Sequence, residues 1–214
     1  FPGNGARGLP GLHSIYTLFD ATTGVPLAQL DGNEITSRRT AAAAALAASF
    51  LARADASRLL VLGSGRVAQH LAPAMRTVRP ITQVQVWNHQ PEGAQALAQQ
   101  WREQGFDAQA VTDLRSAVEQ ADIVSCATLA EAPLVRGAWL REGTHLDLIG
   151  SFTPQMREAD DDCFADAAYW VDTDEALQKS GDLLGPLQRG VIDAAQCRGT
   201  LAGLCRGTDP GRQT

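Results

Sequence analysis

Residues 59–68 read Leu59-Leu60-Val61-Leu62-Gly63-Ser64-Gly65-Arg66-Val67-Ala68, an apolar run that stops on two glycines and opens straight into a helix-forming segment. That order confines the chain to strand, tight turn and helix. Gly63 lets the backbone turn sharply off the strand, and Gly65 lets it approach a ligand where a Cβ would collide. Ala68 fills the third position, where the Gly-x-Gly-x-x-Gly/Ala pattern permits alanine. The N–H groups and dipole at the start of the next helix suit a pyrophosphate. Glycine turns after strands are common, so the pattern alone is weak. Its context is informative: 59–62 is fully apolar, Val67 to Met75 reads as a helix, and Val84-Gln85-Val86-Trp87 reads as the next strand. The segment predicts a dinucleotide-binding βαβ unit whose phosphate loop is Gly63, Ser64, Gly65, Arg66 and Val67.

The surrounding chain continues the alternation. Segments 14–19 and 26–30 read as strands joined by the turn-forming Asp20-Ala21-Thr22-Thr23-Gly24-Val25, an antiparallel hairpin. An alanine- and leucine-rich helix follows over about 34–54, capped by Asn33 or Asp31. Strands are expected at 59–62, 83–87, 106–111, 123–126, 144–149 and 169–171, and helices at 66–77, 91–104 and 113–120. From Asp172 onward the chain reads as helix and loop. The fold class is therefore α/β, a Rossmann-type doubly wound and mostly parallel sheet.

Composition narrows the function classes. With 214 residues the chain can bury a substantial core, and 44% hydrophobic with 20% charged content is that of a soluble globular protein. A net charge of −6, without a lysine-rich cluster, argues against nucleic-acid or anionic-membrane partners. Cys126, Cys163, Cys197 and Cys205 form no CxxC pair and match no zinc spacing, so reduced thiols in a cytoplasmic protein are expected, with Cys126 buried in a strand. No signal peptide is expected from the residues given, and no apolar run reaches membrane length. The first residue is Phe1 rather than methionine and the end is polar and turn-rich, so both termini read as cut from something longer.

Ligands of an open parallel sheet bind at the carboxyl ends of its strands. Those ends are Gly63 to Val67, then Asn88-His89-Gln90, then Ala127-Thr128-Leu129, then Gly150-Ser151-Phe152. The first takes phosphate, the second the adenosine ribose, and the last two lie nearer the nicotinamide. Asn88 stands where an acidic residue would bind the ribose 2′-hydroxyl of NAD. A neutral Asn88 with Arg66 in the loop suits a 2′-phosphate, which favours NADP over NAD; the alternative is a plain turn at Asn88 and a solvated Arg66. On the long helix, Thr36, Arg39 and Thr40 share a face. Arg39 is either a fork for a substrate carboxylate, recessed in a cleft beside the alanine-packed face, or an ordinary surface arginine. His70 and His145 read as structural, and Asp160-Asp161-Asp162 as a helix start rather than a metal site.

Taken in order, Leu27-Ala28, Gly32, Ile35-Thr36, Arg39-Thr40-Ala41-Ala42, the glycine loop, Gly150-Ser151, Pro154, Arg157-Glu158 and Ser180-Gly181-Asp182 resemble the ornithine cyclodeaminase/mu-crystallin family over nearly the whole chain. The resemblance implies an NAD(P)-binding homodimer with a second domain for substrate and dimerisation. Here that implies part of this domain at 1–35, a Rossmann domain at 36–175, and a segment at 176–214 returning toward the substrate domain. It implies that Arg39 binds a substrate carboxylate, that Thr40 binds a cofactor phosphate, and that Asn88, His89, Thr128 and Gly150 lie along the cofactor. NADP-using relatives often carry Asn-Arg-Thr where this chain has Asn88-His89-Gln90. The implied activities are reduction of small carboxylated imines, ornithine cyclodeamination, alanine dehydrogenation, or cofactor binding without catalysis. Phe152 stands where cyclodeaminases carry a catalytic aspartate, and Asp147 replaces a family asparagine. A phenyl ring transfers no proton, so imine reduction is favoured over cyclodeamination.

Overall fold

The computed structural model describes residues 2–212. The chain divides into two compact units, Phe1–Thr40 and Ala41–Thr214. In the first, a 3₁₀ turn at Pro2–Arg7 precedes β1 (Ile15–Phe19) and β2 (Pro26–Asp31), which pair antiparallel with Ile15 opposite Asp31. The hairpin is the one the turn residues predict. Asp20 closes it by accepting from Thr22 N (2.9 Å), Thr23 N (2.7 Å) and the Thr23 hydroxyl (2.9 Å), and Gly24 takes the left-handed backbone the turn needs (φ 71°). Ile15, Phe19 and Leu27 nonetheless stand exposed.

Helix α1 (Gly32–Leu51) begins in the first unit and runs into the second. Of the two expected caps, Asp31 is the one used: its carboxylate accepts from Asn33 N (2.8 Å) and Glu34 N (3.1 Å). The Asn33 amide instead donates to Leu12 O (2.9 Å). The helix stops at Leu51, short of the expected 54, and two arginines satisfy carbonyls at and just past its end. Arg79 donates to Ser49 O and Ala52 O (2.8 Å each), and Arg212 to Leu51 O (2.6 Å).

The second unit is a five-stranded parallel sheet of β3 (Arg58–Leu62), β4 (Gln83–Trp87), β5 (Asp107–Ala110), β6 (Ile123–Cys126) and β7 (His145–Leu148), in the order β5-β4-β3-β6-β7. Between the strands lie α2 (Ala68–Arg76), α3 (Pro91–Glu103) and α4 (Leu114–Gln120), the last capped by the Asp113 carboxylate on Ser116 N. Successive side chains leave opposite faces of each strand, so Leu59 and Val61 pack with Ala41, Ala44, Ala45 and Ala48 of α1 and with Trp101. Leu60 and Leu62 pack on the other face with Val124, Cys126, Phe164 and Leu183. Both faces are covered, which is why these strands read as unbroken apolar runs.

The remaining helices are α5 (Asp162–Ala165), α6 (Ala176–Lys179), α7 (Gly181–Gln188) and α8 (Leu201–Arg206). The acidic triplet 160–162 does lead into a helix, α5. The strand expected at 169–171 is not part of the sheet. Its backbone is taken up by a loop: Arg198 N donates to Tyr169 O, Val171 N to Gly199 O and Leu201 N to Val171 O. Val171 forms only a lone bridge with Thr200. All four cysteines are unpaired, and Cys126 is buried in β6 as expected.

At the amino end of the sheet, Asp122 (9% exposed) accepts from Ser57 N and Arg58 N (3.0 Å each) and pairs with Arg53 (3.0 Å) and Arg141 (3.4 Å). Burial pushes its pKa up, but the backbone donors and the two arginines outweigh that and hold it low.

Candidate functional site

Chain order reverses across β3, with β4 and β5 on one side and β6 and β7 on the other. The carboxyl ends of β3 and its neighbours therefore form the crevice where doubly wound sheets take ligands. The loop between β3 and α2 has the shape the sequence demanded. Gly63 adopts φ 101°, its N–H donates to Trp87 O (2.9 Å), and a Cβ on it would stand 2.5 Å from Ala127 O. Gly65 is exposed, and a Cβ there would meet no protein atom within 4 Å. That open room beside a tight turn is what a pyrophosphate requires, so the residues present fit a dinucleotide. Val67 is already helical in backbone (φ −68°, ψ −46°), and Ala68 opens α2 one residue later.

On the β4 side, Ser64 and Asn88 are brought together by a residue the sequence did not mark. A Cβ on Gly93, in the first turn of α3, would lie 2.5 Å from the Ser64 hydroxyl and 2.8 Å from the Asn88 amide nitrogen. That amide donates to Gln90 O (3.1 Å), so Asn88 does make a turn contact. Arg66 and His89 are exposed.

On the β6–β7 side the site is more tightly built. Glu158 is 0% exposed, and its carboxylate accepts from Thr128 N, the Thr128 hydroxyl and Gly150 N (2.7 Å each). Gly150 has no room for a side chain, since a Cβ would strike Thr128 O and the Glu158 carboxylate. Asp182 (1% exposed), at the start of α7, accepts from Glu158 N (2.9 Å) and Ala159 N (3.0 Å). Burial, aided by Asp182, pushes the Glu158 pKa up to about 7 against the pull of those three donors; burial also raises Asp182. In the adjacent strand pair, Asp147 accepts from the Ser125 hydroxyl (2.6 Å), and burial lifts its pKa to about 6. His145 is buried and, through desolvation and the nearby Arg212 and Arg79, lowered to about 4, which agrees with a structural role.

Gly63, Thr128 and Gly150 are thus contiguous, as are Ser64 and Asn88. Glu158 and Asp182 entered the sequence reading only within the family pattern, with no task assigned, and Gly93 did not enter it. In the first unit, Arg39 is exposed rather than recessed, and Thr40 is half-buried. The buried alanines of α1 begin one residue later, at Ala41. Arg38, on a different face, pairs with Glu34 (2.6 Å). Phe152 is 62% exposed.

Known proteins place this architecture. The chain is 45% identical over 208 residues to a Δ1-pyrroline-2-carboxylate reductase of Paracoccus denitrificans, covering 96% of this chain and 66% of the relative. Its fold superposes with TM-score 0.94 and 35% identity on the Δ1-pyrroline-2-carboxylate reductase of Thermococcus litoralis in complex with NADH and L-proline, covering 100% of this chain and 67% of that one. An archaeal alanine dehydrogenase dimer with bound NAD matches with TM-score 0.91 and 30% identity, over 100% of this chain and 66% of its own. The chain spans about two thirds of the length of these relatives. A family model matches residues 1–214 throughout, and together with the glycine loop and sheet order it establishes that the chain belongs to the ornithine cyclodeaminase/mu-crystallin family.

Proposed function

We propose that this chain forms the dinucleotide-binding part of an NAD(P)H-dependent reductase of small carboxylated imines. The observation that carries the reading is the open room at Gly65 beside the left-handed Gly63, at the point where strand order reverses. Reductases of imino acids among the relatives support the substrate class. Gly63, Ser64, Gly65, Arg66 and Val67 hold the pyrophosphate, Asn88 and His89 the adenosine ribose, and Thr128 and Gly150 flank the nicotinamide. Thr40 binds a cofactor phosphate. Arg39 holds the substrate carboxylate in a bidentate grip that orients the C=N carbon. Bound reduced nicotinamide supplies the hydride. Phe152 offers no proton, but a protonated imine is already a good hydride acceptor, so an acid at that position is less needed than in cyclodeamination.

The domain organisation in this reading is substrate and dimerisation at 1–35, cofactor binding at 36–175, and a return segment at 176–214. NADP is preferred over NAD, supported by a neutral Asn88 and an exposed Arg66; relatives solved with NADH or NAD keep both in the assay. A homodimer is supported by the dimeric alanine dehydrogenase neighbour and by the exposed apolar side chains of β1 and β2. A cytoplasmic location is part of the reading; among the described residues no helix is long and apolar enough to cross a membrane.

The test follows NADPH and NADH absorbance with Δ1-pyrroline-2-carboxylate, with L-ornithine and NAD⁺ run alongside. Reduced cofactor is consumed in the first arm, and Arg39→Ala lowers kcat/KM by roughly a hundredfold, the loss of a charged bidentate contact. Proline formed from ornithine would replace the reading with cyclodeamination. Cofactor binding without turnover in either arm would replace it with a non-catalytic binding protein.

A further inference from the structure

Glu158 is a buried carboxylate that no cation among the described residues neutralises. Its neighbour Arg157 pairs instead with Asp161 (2.6 Å). Burying such a group is costly, and an apolar side chain of similar size would be cheaper glue. What the carboxylate secures is specific. One oxygen takes both the backbone and the hydroxyl of Thr128, past the end of β6, and the other takes Gly150 N, past the end of β7. Its own backbone is fixed beforehand: Leu134 N and Val135 N donate to Glu158 O (2.9 Å each), and Asp182 holds Glu158 N.

The order of strand ends along the crest is Asn88, Gly63, Thr128, Gly150. A dinucleotide with its pyrophosphate on the Gly63 turn and its adenosine toward β4 extends its nicotinamide half over β6 and β7. We infer that Glu158 is a positioning residue for that half, tying the loops after β6 and β7 together so that Thr128 and Gly150 meet the nicotinamide riboside in fixed register. The inference rests on the dinucleotide reading above and adds to it a residue that touches no ligand itself.

The test separates the two halves of the ligand. Affinities for NADH and for ADP-ribose, which lacks the nicotinamide, are measured on the unsubstituted protein and on Glu158→Gln, with the melting temperature recorded. Glutamine keeps the size and the Thr128-facing oxygen but turns an NH₂ toward Gly150 N–H. NADH weakens by roughly 5- to 10-fold, as expected for one lost contact, while ADP-ribose changes by less than about twofold. Equal weakening of both ligands would mean a general structural role and overturn the inference, as would no change in either.

Should the variant not fold, the unsubstituted protein carries the test between about pH 6 and about pH 8. Protonation of Glu158, which faces Asp182 of α7 and Cys126 of β6, withdraws one acceptor, so NADH weakens relative to ADP-ribose as pH falls through 7, above the acid edge near 6 where Asp147 of β7 titrates. A constant ratio would overturn the inference. Binding of ADP-ribose and NADH that resists Glu158 changes leaves the dinucleotide reading standing, whereas failure of both ligands to bind the unsubstituted protein overturns both.

Discussion

Asp122, at the amino end of β6, and Glu158, beyond the carboxyl end of β7, both gather backbone N–H groups from separate parts of the chain. Asp122 also has two arginines, and its charge is held far below neutral pH. Glu158 has none among the described residues, and burial moves it to about 7. The base of the sheet is thus fastened by a permanent charge, and the crest by one that changes near neutrality. A fully compensated acid serves stability; one left poised belongs where ligands bind.

The strongest way to break this contrast is at the base. Asp122→Ala strips two backbone donors and two ion pairs of their acceptor and is expected to cost about 4 kcal/mol in urea unfolding. NADH affinity, measured where the variant is folded, stays unchanged; a parallel loss of affinity would erase the distinction.

The crest acid has the opposite pH signature. The folded pKa of Glu158, about 7, lies above its ordinary 4.5, so in that window the folded protein keeps a proton the unfolded chain has released. The associated stability is complete below about pH 4.5 and is lost as pH rises through 7, by about 3 kcal/mol. Asp147 acts in the same direction up to about 6, and His145, lowered to about 4, acts oppositely as pH falls from 6.5. Only the difference between the unsubstituted protein and Glu158→Gln isolates the effect. A pH-independent difference would contradict it.

Two smaller effects sharpen the picture of the crest. Arg66→Ala is expected to weaken NADPH about tenfold more than NADH, a differential of some 1.4 kcal/mol; equal weakening of both cofactors would remove Arg66 from 2′-phosphate recognition. Asp113→Ala removes the cap of α4 and costs about 1 kcal/mol in thermal unfolding, without altering cofactor affinity.

Much of this was legible in the sequence for local reasons. The strands at 59–62, 83–87 and 123–126 are apolar runs bounded by turn residues, and Gly63 and Gly65 mark their loop by spacing alone. The 169–171 triplet has the same strand-forming composition, yet its backbone partners come from residues 198–201, which no local pattern announces. Glu158 stands in the family pattern, but its task was hidden for a similar reason: its carboxylate serves Thr128 and Gly150, both distant in sequence. Gly93 reads as a weak helix position until Ser64 and Asn88 are seen against it. The recess expected at Arg39 is absent from the described residues around it, because helical periodicity assigns a face but not its exposure.

The most direct measurement is a fluorescence titration of NADH and NADPH onto the protein beside its Gly65→Val variant. Gly65 has a negative φ and open space around its Cβ position, so a valine side chain there projects into the room reserved for phosphate. The account predicts saturable binding that falls by more than about tenfold in the variant, at an unchanged melting temperature. Equal affinity in both proteins would place the dinucleotide somewhere other than the crest of this sheet.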